Sequence, residues 1–507
     1  MLDATPLLRA YAARRLARLA AMDPVAAQQH TLLNLVRRAR ATRFGRDHDF
    51  SGIRGVADYQ QRTQLRTWED FWRDYWSAPF PHLNDVTWPS GIERFANTSG
   101  TTGAATKRIP VSREMMRANR RAALDVLVFH LARRPRSRVL AGRSFILGGS
   151  TALETLAPGI TAGDLSGLAA ADIPWWARRR TFPPQHLALL DDWERKVAAL
   201  APLSLSADVT SFSGTPSWML LFLDRLGRPR PGKRLADLYP HLELVVHGGV
   251  GFAPYRAPFA RWLDGSDAET REVYPASEGF FAVADRGDDE GMRLILDNGL
   301  FFEFVRPADL GGANPDRSWI ADAKLGVEYA LVVSSNAGLW SYVVGDTVTL
   351  TDRAPPRVKV TGRTGWSLSV AGEHLIGHEL DEGMAEAARS LGGSIADYAA
   401  AALHPDAADP RGGHLFIVEA DGIPADAALP FARALDAALA RGNADYAAHR
   451  QGDFGMRPPL VVLAPPGSFA GWMRARGKLG GQNKVPRVIA DAALLSDLRR
   501  FVGDAKA

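Results

Sequence analysis

The stretch N-T-S-G-T-T-G-A-A-T-K-R-I-P, Asn97 to Pro110, decides how the rest of the chain is read. Threonines, a serine and two glycines crowd between Thr98 and Lys107. Small and hydroxylated residues favour turns, so one reading is a plain surface loop. The other is a phosphate cradle, in which backbone N–H groups and hydroxyls donate to oxyanions and a lysine adds charge. It is not a G-x-x-x-x-G-K-[ST] loop, because Gly100 and Gly103 stand three apart and Arg108 follows Lys107.

The bulk composition bounds the alternatives. At 507 residues the chain is long enough for two to four domains, and 46% hydrophobic with 23% charged residues is the balance of a folded protein. A net charge of +5 does not call for a nucleic-acid partner. The absence of cysteine excludes disulfides, Cys-zinc sites and thiol catalysis. No apolar run approaches a membrane span and no hydrophobic signal core opens the sequence, so a cytoplasmic protein is expected.

Leu7 to Met22 is basic and amphipathic, and is expected to dock its Leu/Ala stripe on the body of the protein. A second helix is expected over 24–43 and an aromatic helical piece over 68–76. Short β-branched runs at 242–247, 301–305 and 328–334 alternate with Ala-rich segments, which favours an α/β fold. The Pro-containing stretch 351–363 reads as a connector. A β-α-β module follows, with strands at 414–420 and 459–464 around a helix over 425–441 that carries Leu429, Leu435 and Leu439 on one side.

Four further pieces have chemistry that complements the first. H-G-G-V-G (247–251) follows a strand and offers Gly248 and Gly249, backbone against which a planar ring can lie. Y-P-A-S-E (274–278) offers Tyr274, Ser277 and the carboxylate of Glu278. Y-V-V-G-D (342–346) sets Asp346 after a strand and a glycine turn, where a carboxylate accepts a pair of ribose hydroxyls. G-G-Q-N-K-V-P-R (480–487) carries Lys484. Only eight of the 61 basic residues are lysines, so a lysine in a glycine-rich loop points to a compact charge for phosphate or carboxylate.

In this order the motifs, with G-R-T-G-W-S-L-S-V-A-G-E-H-L (362–375), resemble the phosphate loop, acidic motif, ribose motif and hinge of the adenylate-forming superfamily. The chain is more particularly similar to the Gretchen Hagen three family of acyl-acid amido synthetases, in its bacterial branch. A-T-R-F-G-R-D-H-D-F (41–50), G-T-P-S-W-M (214–219), F-F-E-F (301–304) and Q-N-K-V-P-R (482–487) carry that similarity over the whole length. It departs from plant members at Thr98 and Thr102, where they have serines, and has Pro275 in the acidic motif.

The resemblance implies an α/β fold: a large N-terminal adenylate-forming domain of mixed sheets and helices (1–365) that binds ATP and the acyl acid, and a small, mobile C-terminal α+β domain (366–507). It implies an ATP-dependent ligase that adenylates a carboxylic acid and transfers the acyl group to an amino acid, releasing AMP and pyrophosphate. Thr98, Ser99, Gly100, Thr101 and Thr102 would hold phosphates, Lys107 would balance their charge and Glu278 would bind Mg²⁺. Gly248, Gly249, Tyr274 and Ser277 would bracket adenine, Asp346 and Arg363 the ribose, and Ser217 and Trp218 the acyl pocket. Lys484 would enter or leave the site as the small domain rotates about 364–372. The partners implied are small-molecule acids and amino acids, with no nucleic acid and no membrane.

The motifs leave coenzyme A open as the acceptor, since fold does not fix function, and a non-catalytic ATP-binding protein is the remaining alternative. His374 and His378 stand four apart but lack the internal Glu of H-E-x-x-H, so no metal is expected there. W-A-R-R-R (176–180) reads as a solvated basic surface.

Overall fold

The computed structural model describes residues 2–503 except 99–106, 149–152, 174, 189, 191–192, 250–251, 253–254, 288–289, 313, 365–366, 371, 374, 406–408, 454, 477–484 and 487. The chain up to Thr364 forms most of one compact unit, and the chain beyond it most of a second.

In the first unit, helix α1 (Thr5–Ala20) buries Leu8, Ala12, Arg15 and Leu19, a helical spacing that gives one inward face, while Leu7 is exposed. That face packs with α3 (Arg113–Arg133) in a shared apolar cluster. Between them, α2 (Pro24–Ala39) starts where the Asp23 carboxylate accepts the Ala26 N–H at 2.7 Å. The helix expected over 24–43 stops at Ala39, because Thr42 caps a separate short helix, Arg43–Asp47, by accepting the Gly45 N–H.

Strands β1 (Arg94–Thr98) and β2 (Lys107–Val111) pair antiparallel. After β3 (Arg143–Leu147), which belongs elsewhere, β4 (Glu154–Ala157) and β5 (Ile160–Gly163) complete a four-stranded sheet in the order β2-β1-β5-β4. The large sheet takes β3 and then β6 (Thr181–Phe182), β7 (Val209–Gly214), β8 (Leu244–Gly248), β9 (Glu269–Ala276), β10 (Gly279–Val283) and β11 (Met292–Leu294). It continues with β12 (Leu300–Val305), β13 (Arg317–Trp319), β14 (Glu328–Ser335), β15 (Tyr342–Arg353) and β16 (Pro356–Arg363). Their order is β13-β12-β14-β15-β16-β11-β10-β9-β8-β7-β3-β6. Neighbours are antiparallel from β13 to β9 and parallel from β9 to β6, so β9 is the junction of two sheet styles.

The stretch 351–363 is not the connector the sequence reading made it. It forms the end of β15, a turn at Ala354–Pro355 and the whole of β16, with Asp352 opposite Arg357 and Leu350 opposite Val358. The antiparallel half of the sheet buries Phe301, Phe302, Leu331 and Val333 in one cluster with Phe44, Phe71, Trp76 and Trp340. The aromatic piece is helical, Trp68–Phe71 continuing as a π-helix over Trp72–Trp76, and Phe71 stacks on Trp76 with ring centroids 4.8 Å apart.

The second unit begins with the short pair β17 (Ser367–Leu368) and β18 (Leu375–Ile376) and helix α4 (Gly377–Ser390). Its sheet is β19 (Ser394–Leu403), β20 (Gly413–Asp421) and β21 (Leu460–Ala464), with α5 (Ala428–Gly442) crossing between the parallel pair β20 and β21. Alternation along the strands supplies two cores. Tyr398, Ala400, Phe416 and Val418 face α4 and α5, while Ala399, Leu415 and Ile417 pack with Phe469, Trp472 and Leu498. Leu429 does not share the inward side of α5: it is 62% exposed, whereas Leu435 and Leu439 are buried. Six residues on a helix of 3.6 per turn do not return to the same face.

Candidate active site

The two ends of the opening stretch lie in register on neighbouring antiparallel strands. Thr98 is the last residue of β1, Lys107 the first of β2, and each is the other's direct partner. Directly opposed residues project from the same face about 5 Å apart, so the hydroxyl and the ammonium leave the sheet together. Ser99, Gly100, Thr101 and Thr102 lie outside the described residues.

Lys107 is 7% exposed, and its Nζ stands 2.7 Å from Glu69 Oε1 and 5.8 Å from the centre of the Trp68 ring. Trp68 in turn donates its indole N–H to the Arg108 carbonyl at 3.2 Å, which ties the aromatic helix to β2. Burial pushes the Glu69 carboxyl up, but the hydrogen bond and charge of Lys107 outweigh it and hold the group below its ordinary value.

The adenine and ribose candidates lie around the β9 junction. Gly248 ends β8 opposite Val273 of β9, and a Cβ on it would sit 2.3 Å from the Val273 carbonyl oxygen, so only glycine fits. Gly249 follows at φ +87°, a backbone that other residues adopt at a cost. Tyr274 is buried on β9 next to Val273. Ala276 pairs with Gly279, so Ser277 and Glu278 form the two-residue turn into β10, with Glu278 buried.

Asp346 on β15 is the register partner of Arg363, the last residue of β16. The Tyr274 hydroxyl donates to Asp346 Oδ2 at 2.5 Å, although β16, β11 and β10 stand between β15 and β9 in the strand order. The sheet therefore curls enough to bring the proposed adenine and ribose residues into one place.

Ser217 and Trp218 open the helix Pro216–Gly227 after β7, and Trp218 is half-buried beside the core residues Met219 and Leu220. Lys484 and His374 lie outside the described residues. Leu375–Ile376 is a strand and α4 starts at Gly377, with His378 its second residue. Among the described residues no group of three His, Asp or Glu is placed to hold a metal, and no helix is long and apolar enough to cross a membrane.

Three family models match the chain: the GH3 family N-terminal domain over 15–147, the GH3 family central domain over 293–363 and the GH3 family C-terminal domain over 378–493. Together they span more than half of it. The chain belongs to the GH3 family. This GH3 chain is 26% identical over 272 residues to the indole-3-acetic acid-amido synthetase GH3.8 of Oryza sativa subsp. indica, covering 49% of the chain and 43% of the relative. With the indole-3-acetic acid-amido synthetase GH3.4 of Arabidopsis thaliana it shares 25% over 271 residues, 49% and 44% of the two. The matches thus span less than half the length of these curated relatives.

Solved structures extend the likeness in fold to nearly the whole GH3 chain. The GH3.15 acyl acid amido synthetase aligns at TM-score 0.59 and 17% identity, over 96% of this chain and 95% of that one. A 2-hydroxyisobutyryl-CoA ligase, in complex with 2-HIB-AMP and CoA, aligns at 0.58 and 17%, over 94% and 92%. The fold is that of the adenylate-forming enzymes.

Three residues of this GH3 chain escape the motif reading. Glu69 and Trp68 hold Lys107, yet W-E-D carries no local sign of that contact, which exists only across 38 residues of chain. Lys196 is 2% exposed, with Nζ 3.5 Å from the Gly148 carbonyl at the end of β3. Its signal was available: it sits in the helix Trp193–Ser204 beside the buried Val197 and Leu200.

Proposed function

We infer that the protein is an ATP-dependent ligase that activates a carboxylic acid as its adenylate and passes the acyl group to an amine, an amino acid in this reading. The observation that carries it is the cluster around β9, in which Tyr274 hydrogen-bonds Asp346 and Asp346 is paired with Arg363. A carboxylate held within β15 just after Gly345, and facing a buried tyrosine hydroxyl, suits a nucleoside. Membership of the GH3 family supports the same reading.

In the first step a carboxylate oxygen of the acid attacks the α-phosphorus of ATP, the bond to the β-phosphate oxygen breaks and pyrophosphate leaves. The chain's part is positioning and neutralisation of charge. Thr98 and the hydroxyls of Ser99, Thr101 and Thr102 donate to phosphate oxygens, and Lys107 faces them from the same side of the strand pair. Glu278 suits Mg²⁺, which takes few protein carboxylates and fills its remaining positions with phosphate oxygen and water. When bound, the ion neutralises polyphosphate charge.

In the second step the amine nitrogen attacks the acyl carbonyl, the acyl–phosphate bond breaks, AMP departs and the nitrogen loses a proton. We assign residues 1–365 to ATP and acid binding and 366–507 to the small domain, with Lys484 as its active lysine.

The test is pyrophosphate release from ATP and Mg²⁺ over a panel of aryl and alkyl carboxylic acids, with wild type and Lys107→Ala, each with amino acids or coenzyme A. Release that needs one acid and Lys107 and yields an amide is the expected result. A thioester instead makes it an acyl-CoA ligase, and ATP binding without release under any acid rejects the ligase reading for that panel.

A further inference from the structure

A cavity of about 380 Å³ lies in the first unit, lined by α1, α2, α3, residues 297–299 and Asn336, none of which belongs to an ATP motif. Three guanidiniums line it: Arg18 from α1 and the pair Arg117 and Arg121, one turn apart on α3. Two carboxylates line it as well: Asp297 pairs with the lining Arg18 at 3.6 Å and with both terminal nitrogens of Arg15, outside the lining, at 2.6 and 2.9 Å, and Glu114 pairs with Arg38, also outside it, at 2.7 Å. The cavity therefore carries an excess of positive charge. Arg117 has no ion pair among the described residues.

Its polar floor is also incomplete. Asn298 and Asn336, 1% and 9% exposed, both line the cavity, and the Oδ1 atom of each is buried without a hydrogen-bond partner among the described residues. So is Nε of Arg121. An unsatisfied buried acceptor is costly enough that native proteins seldom leave one, and two beside a surplus of guanidinium donors make a complementary pattern. The missing occupant must accept from arginine and donate to amide oxygen.

We propose that this cavity is a second ligand site that takes a small carboxylate bearing an ammonium or hydroxyl group, the class of free amino acids and hydroxy acids. The carboxylate bonds to Arg117 and Arg121, and the donor group satisfies Asn298 and Asn336. This site stands independently of the catalytic reading, because none of its lining residues belongs to the nucleotide motifs.

Calorimetric titration of the full-length protein with glycine, L-aspartate, L-glutamate and lactate tests it, with acetate and ethanolamine as probes that each lack half of the pattern. The expected result is saturable binding of at least one complete probe, tighter than either half-probe. Arg117→Ala and Arg121→Gln each weaken it by about tenfold or more, the loss of a charge-assisted hydrogen bond, and Lys107→Ala retains it. Arg117 is exposed, so its replacement leaves the core untouched. No saturable binding, a smaller loss in both arginine variants, or loss in Lys107→Ala overturns the proposal; the first outcome leaves the cavity to water.

Discussion

Lys107 and Glu69 form an ion pair at 2.7 Å beside the Trp68 ring, so the lysine that opens β2 is oriented by a helix 38 residues upstream. Replacing Lys107 by Ala is expected to lower the rate of pyrophosphate release by about 100-fold, the scale of one lost transition-state donor. Lys107→Arg is not expected to restore it, because a planar fork does not fit the place of a compact ammonium.

Glu69→Gln keeps the shape of the carboxylate and removes its charge. It is expected to cost about tenfold in kcat/KM for ATP with a smaller change in kcat, since it acts through the position of Lys107. Glu69 has a lowered folded pKa, so its pairing is complete above its ordinary value and is lost as pH falls through the lowered one. A pH–rate profile that keeps its acid limb in Glu69→Gln would exclude this role.

Tyr274→Phe preserves the ring packed on Phe281 and removes the hydroxyl that meets Asp346. The expected effect is a rise of about tenfold in KM for ATP, the worth of a hydrogen bond to a charged group, with pyrophosphate release at saturating ATP little changed. Titration with ATP of both proteins measures it.

Stability is expected to fall with rising pH through His130. Its Nδ1 lies 2.8 Å from Glu269 Oε1, and Nε2 lies 3.4 Å from Glu243 Oε2 and 3.1 Å from the Ser137 hydroxyl. Burial pushes the imidazole down, but the two carboxylates outweigh it and raise its folded pKa, while Glu269 is held at about 2 against its own burial by His130 and Arg271. A raised histidine contributes fully below its ordinary value of about 6.5 and loses that contribution as pH climbs through the folded value. Melting temperatures of wild type should drop as pH rises above about 6.5, and those of His130→Gln should drop less.

Arg15 reaches Asp125 at 2.6 Å and Asp297 at 2.6 Å, with Asp125 fully buried. Arg15→Met removes the partner of a buried carboxylate and is expected to destabilise the first unit by about 3–5 kcal/mol. Denaturant unfolding reads this directly; a loss under about 1 kcal/mol would mean that the pair is solvated.

The site was legible where chemistry and chain order coincide. V-V-G-D singles out Asp346 and the resemblance adds Arg363, and β15 and β16 make the two register partners. The start of β16 reads as a connector in the sequence because Pro355 and Pro356 interrupt its pattern. Alternation in T-V-T-L and R-V-K-V, with Val348, Leu350 and Val358 buried, already had the period of two. Leu429 was misplaced by arithmetic that one turn count corrects. The hold of Glu69 on Lys107 had no counterpart in any window, since a contact between distant segments leaves no periodic trace.

The register of Thr98 with Lys107 makes residues 99–106 a replaceable cartridge. Both ends are clamped by the same ladder, so exchanging the eight residues for those of a relative, or changing their number, leaves the lysine on its face. Removing one residue within β2 instead turns its side chains over. On the proposed reading, swaps confined between the clamps vary how phosphate is held while its countercharge stays fixed.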